Sequence, residues 1–331
     1  AMGVTTGGTS VTITGTGFSQ GATVKIGTLT ITGAVVSADG TTITFTTPAN
    51  LGKPGTYDVV VTNGNGQLAT KTAGYTYFIS VSFAPGANVT QGSDRGPRFV
   101  QPYDLDKDGT LDLAVAYANS STLVTYKGTS AGTNISFGTA NTRGVNTYPF
   151  MLSVGDMNKD GKLDIVTANT STLNVTVCLS TGVGTFGNPI NQNAGTNPSG
   201  LFVTDLNGDK AMDVVVANTT STNVSVLLGD GAGNLGLAQN QPLATNKPES
   251  VWVADVTGDK LPDLLTANAG SSNWSLLQGM TPTVYSAQVA TNTGAGPTDI
   301  TVSDLNGDGL QDIIVASNGS SNVQVSLGIC K

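Results

Sequence analysis

Apolar and polar residues alternate in short runs along most of the chain, and clusters of glycine, asparagine, serine or aspartate separate the runs. Examples are SVTIT near the start and TLNVTVC in the middle. An alternation with a period of two indicates strands, and the separating clusters have the composition of turns. We find no extended helical periodicity and no apolar run of about 18 residues. The pattern predicts an all-β protein without a membrane-spanning segment.

A nine-residue acidic pattern recurs five times, at a spacing of about 50 residues. The copies read DLDKDGTLD from Asp104, DMNKDGKLD from Asp156, DLNGDKAMD from Asp205, DVTGDKLPD from Asp255 and DLNGDGLQD from Asp304. A proline stands seven residues before each copy, with a strand-like segment on either side of the acidic loop. A third strand follows, and we expect a fourth near Phe137, Phe186, Leu235 and Val284. Four short strands in a repeat of about 50 residues are typical of one β-propeller blade.

The two ends of the repeat region predict how the blades close. The last copy stops after its third strand, near Leu327, whereas an additional strand at residues 81–89 precedes the first copy. This strand, VSFAPGANV, is similar to ISFGTANTR at residues 135–143, which follows the third strand of the first copy. We therefore predict a five-bladed β-propeller of four-stranded blades over residues 79–331, closed by the N-terminal strand so that no sheet edge is free. A larger ring would need blades from outside this chain.

The acidic loops hold most of the 22 Asp and Glu residues, and such concentrated like charges repel one another unless a cation lies between them. Side chains at loop positions 1, 3 and 5 can converge on one centre, position 7 can offer a backbone carbonyl, and position 9 can close the shell. An irregular shell of oxygen ligands suits Ca²⁺ better than Mg²⁺. The predicted calcium ligands are Asp104, Asp106, Asp108, Thr110 and Asp112; Asp156, Asn158, Asp160, Lys162 and Asp164; Asp205, Asn207, Asp209, Ala211 and Asp213; Asp255, Thr257, Asp259, Leu261 and Asp263; and Asp304, Asn306, Asp308, Leu310 and Asp312.

We expect about five Ca²⁺ ions, one per blade, with unequal affinities. Lys210 and Lys260 occupy the position where glycine favours a tight, partly left-handed turn, and Thr257 replaces the usual Asp or Asn at position 3. Sites three and four should therefore bind more weakly. An EF-hand is excluded, because it needs flanking helices and a glutamate at position 12, which here falls in β-branched strands. The alternative that the aspartates serve only as turn formers stays open.

The composition excludes several kinds of binding site and catalytic site. The formal charge is −8, with 14 Lys and Arg residues, which argues against binding of a phosphate backbone. Histidine is absent, so Ser-His and Cys-His catalytic pairs and histidine zinc sites are excluded. Cys178 and Cys330 have no metal-like spacing, and we interpret them as one buried strand thiol and one near-terminal thiol in preference to a disulfide.

Residues 1–78 lack the acidic repeat and contain short alternating strands with glycine turns, which indicates a small β-sandwich. The strings GTSVTITGTGFS and GTYDVVVTNGNGQ, with the closing YTY, resemble the IPT/TIG family of immunoglobulin-like domains. The resemblance implies a first strand that starts before GGTSV, so we expect this strand to be truncated. The segment has few lysines, which argues against nucleic-acid binding, and we interpret it as a spacer.

The repeats of residues 79–331 resemble the FG-GAP or VCBS repeats of calcium-binding β-propellers, including integrin α-subunit heads and propeller lectins. The likeness is specific in the acidic loop, but the blade number and most strand sequences differ from integrins, so a shared partner does not follow. In such propellers, loops that lead into the first strand of a blade lie on the face opposite the calcium loops. The resemblance implies a ligand face at Arg95, Arg98, Tyr148, Asn197, Lys247, Glu249 and Asp299.

These features predict a non-catalytic calcium-binding recognition or adhesion module that is secreted or displayed on a cell surface. The propeller would bind a glycan or an extracellular protein, with the immunoglobulin-like domain as spacer and the chain as a monomer. No signal peptide is visible. One alternative is a purely structural, calcium-stabilised segment of a large surface protein. Another is a polysaccharide lyase or hydrolase that uses acids among Asp94, Asp230, Glu249 and Asp299.

Overall fold

In the computed structural model, every regular element of the described residues is a β-strand. The structure describes residues 2–4, 7–49, 55–78, 95–131, 134–182, 184–244, 247–281 and 283–328. The chain divides into two compact units, residues 1–87 and 88–331. Within the described ranges, no helix is long and apolar enough to cross a membrane. The prediction of an all-β protein is confirmed.

The first unit contains two sheets that share one apolar core. Its strands are β1 Met2–Val4, β2 Ser10–Thr14, β3 Thr23–Ile26, β4 Leu29–Thr30, β5 Val35–Val36, β6 Thr42–Thr46, β7 Gly55–Thr62 and β8 Leu68–Phe78. One sheet has the order β1-β8-β7-β3-β4 and the other β2-β6-β5. β1 runs parallel to β8, so a strand does precede Gly7. Alternate residues such as Val24, Ile43 and Tyr75 point into the core, as the period of two predicts.

The second unit repeats one antiparallel pattern of strands. The strands are β9 Pro97–Tyr103, β10 Asp112–Tyr117, β11 Thr122–Ala131, β12 Asn134–Gly144, β13 Pro149–Gly155, β14 Asp164–Asn169, β15 Asn174–Cys178, β16 Ser180–Gly182, β17 Thr185–Phe186, β18 Ile190–Asn193, β19 Pro198–Thr204, β20 Asp213–Asn218, β21 Asn223–Leu227, β22 Gln239–Pro242, β23 Pro248–Ala254, β24 Asp263–Asn268, β25 Asn273–Leu277, β26 Gly279–Thr281, β27 Val284–Tyr285, β28 Val289–Asn292, β29 Pro297–Ser303, β30 Asp312–Ser317 and β31 Asn322–Ser326.

In the described residues, these strands form four sheets of four strands, one sheet of three, and two separate two-stranded hairpins, β16-β17 and β26-β27. The four-stranded sheets are β9-β10-β11-β12, β13-β14-β15-β18, β19-β20-β21-β22 and β23-β24-β25-β28, and the last sheet is β29-β30-β31. Each predicted proline begins a first strand, and each acidic loop joins the first strand of a sheet to the second. The repeat therefore corresponds to one sheet, as predicted.

Three of the fourth strands lie later in the chain than expected. Phe186 and Val284 belong to the short hairpins β16–β17 and β26–β27, and Leu235 makes only an isolated bridge. The fourth strands β18, β22 and β28 have the sequences INQN, QNQP and VATN. They are polar edge strands with little buried surface, so the apolar hairpins before them give the stronger sequence signal.

Consecutive sheets pack face to face through buried aliphatic side chains. In β20, Val214 and Val216 pack in one cluster with the second sheet, while Val215 and Ala217 pack in another with the fourth sheet. Both faces of the strand are therefore buried, which explains its unbroken apolar run. Cys178 is buried in the cluster between the first two sheets, and burial raises the pKa of its thiol to about 12. Cys330 lies outside the described residues.

Closure of the ring stays a prediction. The strand expected at residues 81–89 lies outside the described residues. On β31 and just beyond it, Val323, Val325 and Leu327 are 64%, 48% and 56% exposed. The equivalent residues of the third sheet, Val224 and Val226, pack on the fourth sheet, so these positions are the ones that a neighbouring sheet would cover in a closed ring.

Candidate metal loops and the first-strand cavity

Each acidic loop is folded by hydrogen bonds from its own backbone to its own carboxylates. In loop one, Asp104 Oδ1 accepts from the Asp108 N–H at 3.0 Å, and Asp104 Oδ2 accepts from the Gly109 N–H at 2.9 Å. Asp108 Oδ1 accepts from the Thr110 N–H at 2.8 Å. Position 1 accepts from the N–H of position 6, and position 5 from that of position 7, in all five loops. The repeated bonds give the five loops one turn geometry.

Loop one gathers three carboxylates at one point. One oxygen from each of Asp104, Asp106 and Asp108 lies within 4.8 Å of the others, the one such acidic group in the described part of the chain. In the other loops position 3 is Asn158, Asn207, Thr257 or Asn306, which offers a neutral oxygen instead. Oxygen donors at positions 1, 3 and 5 fit a hard cation such as Ca²⁺.

Two positions in every loop have left-handed backbone. Position 4 is Lys107 (φ 60°) in loop one and Lys159 (φ 59°) in loop two, and position 6 is Lys210 (φ 68°) in loop three and Lys260 (φ 70°) in loop four. Glycine fills the partner position of each loop, and in loop five it fills both. Loops one to four thus each carry one lysine in a conformation that favours glycine. Backbone strain alone does not separate sites three and four from the first two, so their weaker binding stays a prediction.

The aspartate at position 9 has a role that its sequence pattern did not indicate. Asp164 is fully buried, its Oδ2 accepts from the Met157 N–H at 2.8 Å, and its Oδ1 accepts from the Ser180 N–H at 2.7 Å. The same pair of bonds recurs at Asp112, Asp213, Asp263 and Asp312. Position 9 therefore ties the start of its loop to the end of the third strand or to the residues just after it. Metal ligation by position 9, and by the carbonyl of position 7, stays a prediction.

Burial and hydrogen bonding shift the loop carboxyls in opposite directions. Burial raises the pKa of Asp164, because desolvation outweighs its two backbone bonds. At position 5 of the same loop, the Lys162 side chain lies 2.6 Å from Asp160 and lowers the pKa of that carboxyl. In this loop the exposed end thus favours negative charge and the buried end opposes it.

A buried amide network lies at the other end of the second strands, where they pair with the prolines, and the sequence interpretation missed it. Asn268 is fully buried, its Nδ2 donates to Asn273 Oδ1 at 2.9 Å and to Ser275 Oγ at 2.7 Å, and its Oδ1 accepts from Thr266 Oγ1. Asn169 and Asn218 make equivalent bonds. The available signal was an asparagine five residues after position 9 in three of the five repeats.

The turns before the first strands share a backbone conformation rather than side chains. The five residues that precede the prolines all have φ between 56° and 61°: Gly96, Tyr148, Asn197, Lys247 and Gly296. Each accepts a hydrogen bond at its carbonyl from the turn after the second strand. Tyr148, Asn197 and Lys247 of the predicted ligand face therefore sit in these turns. The carbonyl of Arg95, beside the first turn, accepts from Asn119 N–H at 3.1 Å.

The first strands of all five sheets line one cavity of about 610 Å³. Of the predicted ligand face, Arg98, Glu249 and Asp299 line it, and the other four residues do not. The Asp299 carboxylate accepts from Ser250 Oγ at 2.8 Å. Of the other candidate acids, Asp230 instead binds Asn234 in an exposed turn, and Asp94 lies outside the described residues.

Five aromatic residues line this cavity, and none of them was predicted: Phe99, Tyr103, Phe150, Phe202 and Trp252. Phe202 and Trp252 meet edge to face with their ring centroids 5.0 Å apart, and the Arg98 guanidinium lies 4.0 Å above the Phe150 ring. In the sequence these residues are indistinguishable from strand core. Their presentation to the cavity depends on which strand face turns inward.

Comparison with known proteins agrees with the repeat and the N-terminal domain. The model of the FG-GAP-like repeat matches residues 104–167, 156–216, 205–266 and 255–315, and the model of the IPT/TIG domain matches residues 1–77. A search of curated proteins found no match.

Two solved structures illustrate the distant structural similarity. A lectin of Agrocybe aegerita, described as recognising non-reducing terminal N-acetylglucosamine, is 19% identical, with 82% of this chain and 74% of the lectin covered and a TM-score of 0.46. The N-terminal part of BBS1, in complex with ARL6, is 15% identical, with 98% of each chain covered and a TM-score of 0.47. Similarity at this level carries no information on ligands. The matched repeats span more than half of the sequence, and the chain therefore belongs to the family of FG-GAP-like repeat proteins, with an IPT/TIG domain at its N-terminus.

Proposed function

We propose that this protein is a non-catalytic extracellular recognition module, in which Ca²⁺ holds the acidic loops and the first-strand cavity binds a short glycan segment. The IPT/TIG domain serves as a spacer. The observation that carries the proposal is the cavity itself, which is lined by the first strands of five sheets and combines aromatic rings, two carboxylates and one guanidinium.

Calcium suits the loops because their donors are oxygens of carboxylates and amides. In each loop, positions 1, 3 and 5 would hold the ion, which would offset the repulsion between neighbouring carboxylates. If the free extracellular Ca²⁺ concentration is about 100 times the Kd of a site, binding at that site stabilises the folded protein by about 2.7 kcal/mol. Such sites would be empty at cytosolic Ca²⁺ levels, which favours a secreted or cell-surface location.

A glycan suits the cavity better than a protein element does. A volume of about 610 Å³ lies within the range of small-molecule pockets. Sugar rings present apolar C–H faces to aromatic side chains, and their hydroxyl groups donate to carboxylates. Trp252, Phe202 and Phe150 supply the aromatic surfaces, and Glu249 and Asp299 supply the acceptors. Arg98 adds a donor for a carboxylate or hydroxyl of the ligand.

The direct test is a glycan array probed with the whole chain, followed by titration of any sugar that binds. We expect binding to fall at least about tenfold in Glu249→Gln/Asp299→Asn, because two acceptors lose their charge. Asp230→Asn is the matched control, since this carboxylate lies outside the cavity, and it should bind normally. Absence of any glycan ligand, or equal binding by the double variant, would overturn the proposed cavity function.

The same variants test the enzymatic alternative. Glu249 and Asp299 line one cavity, which is the arrangement that an acid and base acting on a polysaccharide would need. Turnover of a bound polysaccharide that is lost in the double variant would replace recognition with catalysis. Binding without turnover would support the recognition module.

A further inference from the structure

Lys127 lies against the acidic cluster of loop one. It belongs to β11, the third strand of the first sheet, and its Nζ donates to Asp106 and, at 2.8 Å, to Asp108. The Asp106 side chain is only 4% exposed, whereas Lys127 is 37% exposed. The ammonium group therefore reaches from solvent into the region between the carboxylates.

The other four repeats provide an internal comparison. The position of Lys127, 15 residues after the ninth loop residue, is Leu179, Leu228, Gln278 or Leu327 in the other sheets. The position of Asp106 is Asn or Thr in the other loops. The one loop with an additional carboxylate is thus the one with a lysine at this third-strand position, whereas the Lys162–Asp160 pair of loop two lies within its own loop. The additional negative charge of Asp106 and the positive charge of Lys127 therefore occur in the same repeat.

We propose that Lys127 is a built-in counter-ion that is specific to loop one, paired with Asp106, and that a bound Ca²⁺ ion must displace it. The inference rests on the proposed calcium binding. The ammonium contacts two of the three carboxylates that would hold the metal, so lysine and metal compete for the same oxygens. The long, partly exposed side chain can turn outward when the metal enters. Loop one therefore keeps its shape at low Ca²⁺ and fills at a higher Ca²⁺ concentration than its four acidic residues alone would require.

Three variants separate the two charges. Lys127→Leu copies the residue of three other sheets and should tighten Ca²⁺ binding at loop one by about tenfold, because a competing unit charge is removed. Asp106→Asn keeps the lysine and removes a ligand charge, so binding should weaken by about tenfold. Asp106→Asn/Lys127→Leu reproduces the pattern of loop five, and its affinity should return to within about threefold of that loop.

The measurement is hydrogen–deuterium exchange of the whole chain as a function of free Ca²⁺, read by mass spectrometry on peptides from each loop. The midpoint of protection at residues 104–112 reports loop one, and residues 304–312 serve as the internal control in the same sample. We expect Lys127→Leu to shift the loop-one midpoint to lower Ca²⁺ and to leave the loop-five midpoint in place.

The outcomes are distinguishable. If loop five gains protection with Ca²⁺ and the loop-one midpoint does not move in Lys127→Leu, the counter-ion role is wrong while calcium binding stands. If neither loop responds to Ca²⁺ in any variant, the calcium proposal itself fails and this inference fails with it. Should Lys127→Leu lower the thermal stability of the chain, Lys127→Met provides a second neutral replacement with an unbranched side chain.

Discussion

The two ends of the first strands repeat from sheet to sheet in different ways. At the acidic end, the same carboxylates make the same backbone hydrogen bonds in all five loops. At the proline end, the backbone repeats with φ near 60°, but the preceding residue changes from glycine to tyrosine, asparagine or lysine. The acidic end repeats its side chains because they build the fold. At the other end only the backbone is constrained, so the side chains are free to differ between sheets.

The largest expected effect is at the buried end of an acidic loop. Asp164→Ala would leave the Met157 and Ser180 N–H groups buried without their acceptor. Because each unsatisfied buried donor costs about 1–3 kcal/mol, we expect a loss of about 4 kcal/mol in the free energy of unfolding. Urea unfolding in chelator measures it. Asp160→Ala is the matched control at the exposed end of the loop and should cost much less; equal losses would contradict the assigned role of position 9.

The second prediction concerns the fifth sheet. If residues 81–89 supply its fourth strand, Phe83 takes the place that Phe137 has in the first sheet, where Phe137 packs on a buried cluster. Phe83→Ala should then cost about 3 kcal/mol of unfolding free energy. Thermal and urea unfolding of the full chain test this. A change below about 0.5 kcal/mol, the usual range of surface substitutions, would contradict closure by this strand.

A smaller effect is expected where two first strands approach closely. A Cβ on Gly200 would lie 2.7 Å from the Ser250 Cα and 2.8 Å from the Val251 nitrogen. Gly200→Ala should therefore destabilise the chain by about 2 kcal/mol, since the contacts are with backbone. Gly144→Ala is the control, because no atom lies within 4 Å of its Cβ position. Similar melting temperatures of the two variants would show that β19 and β23 are farther apart than described.

The smallest effect is expected in the turns before the prolines. Lys247 has φ 56°, a conformation that asparagine tolerates better than lysine. Lys247→Asn should raise the free energy of unfolding by less than about 1 kcal/mol, and the matched Lys25→Asn in a strand should not raise it. Stabilisation by both variants, or by neither, would mean that backbone strain at this turn has no measurable cost.

The repeat and the position of each acidic loop between two strands could be predicted from the sequence. Glycine, aspartate and β-branched runs carry local signals, and five copies reinforce them. The hydrogen bonds of position 9 and of Asn268 could not be predicted from the sequence, because their partners lie 16 and 5 residues away across a hairpin. Those pairings exist only once the register of the sheet is set.

The ligand face was predicted in part for a similar reason. Arg98, Glu249 and Asp299 lie within the first strands and turn toward the cavity, whereas Tyr148 and Lys247 lie one residue before the strands. Lys247 and Glu249 lie on either side of Pro248, so a difference of two positions at a left-handed turn decides which side chain reaches the cavity. The aromatic lining escaped prediction because inward-facing and core-facing positions of a first strand are both apolar.

Calcium titration calorimetry of the thoroughly decalcified chain tests the central claim most directly. The account predicts heats that correspond to about five ions per chain, fewer in a variant with neutral residues at positions 1 and 5 of one loop. An isotherm without any calcium uptake would contradict it, since the clustered aspartates would then have no cation to enclose.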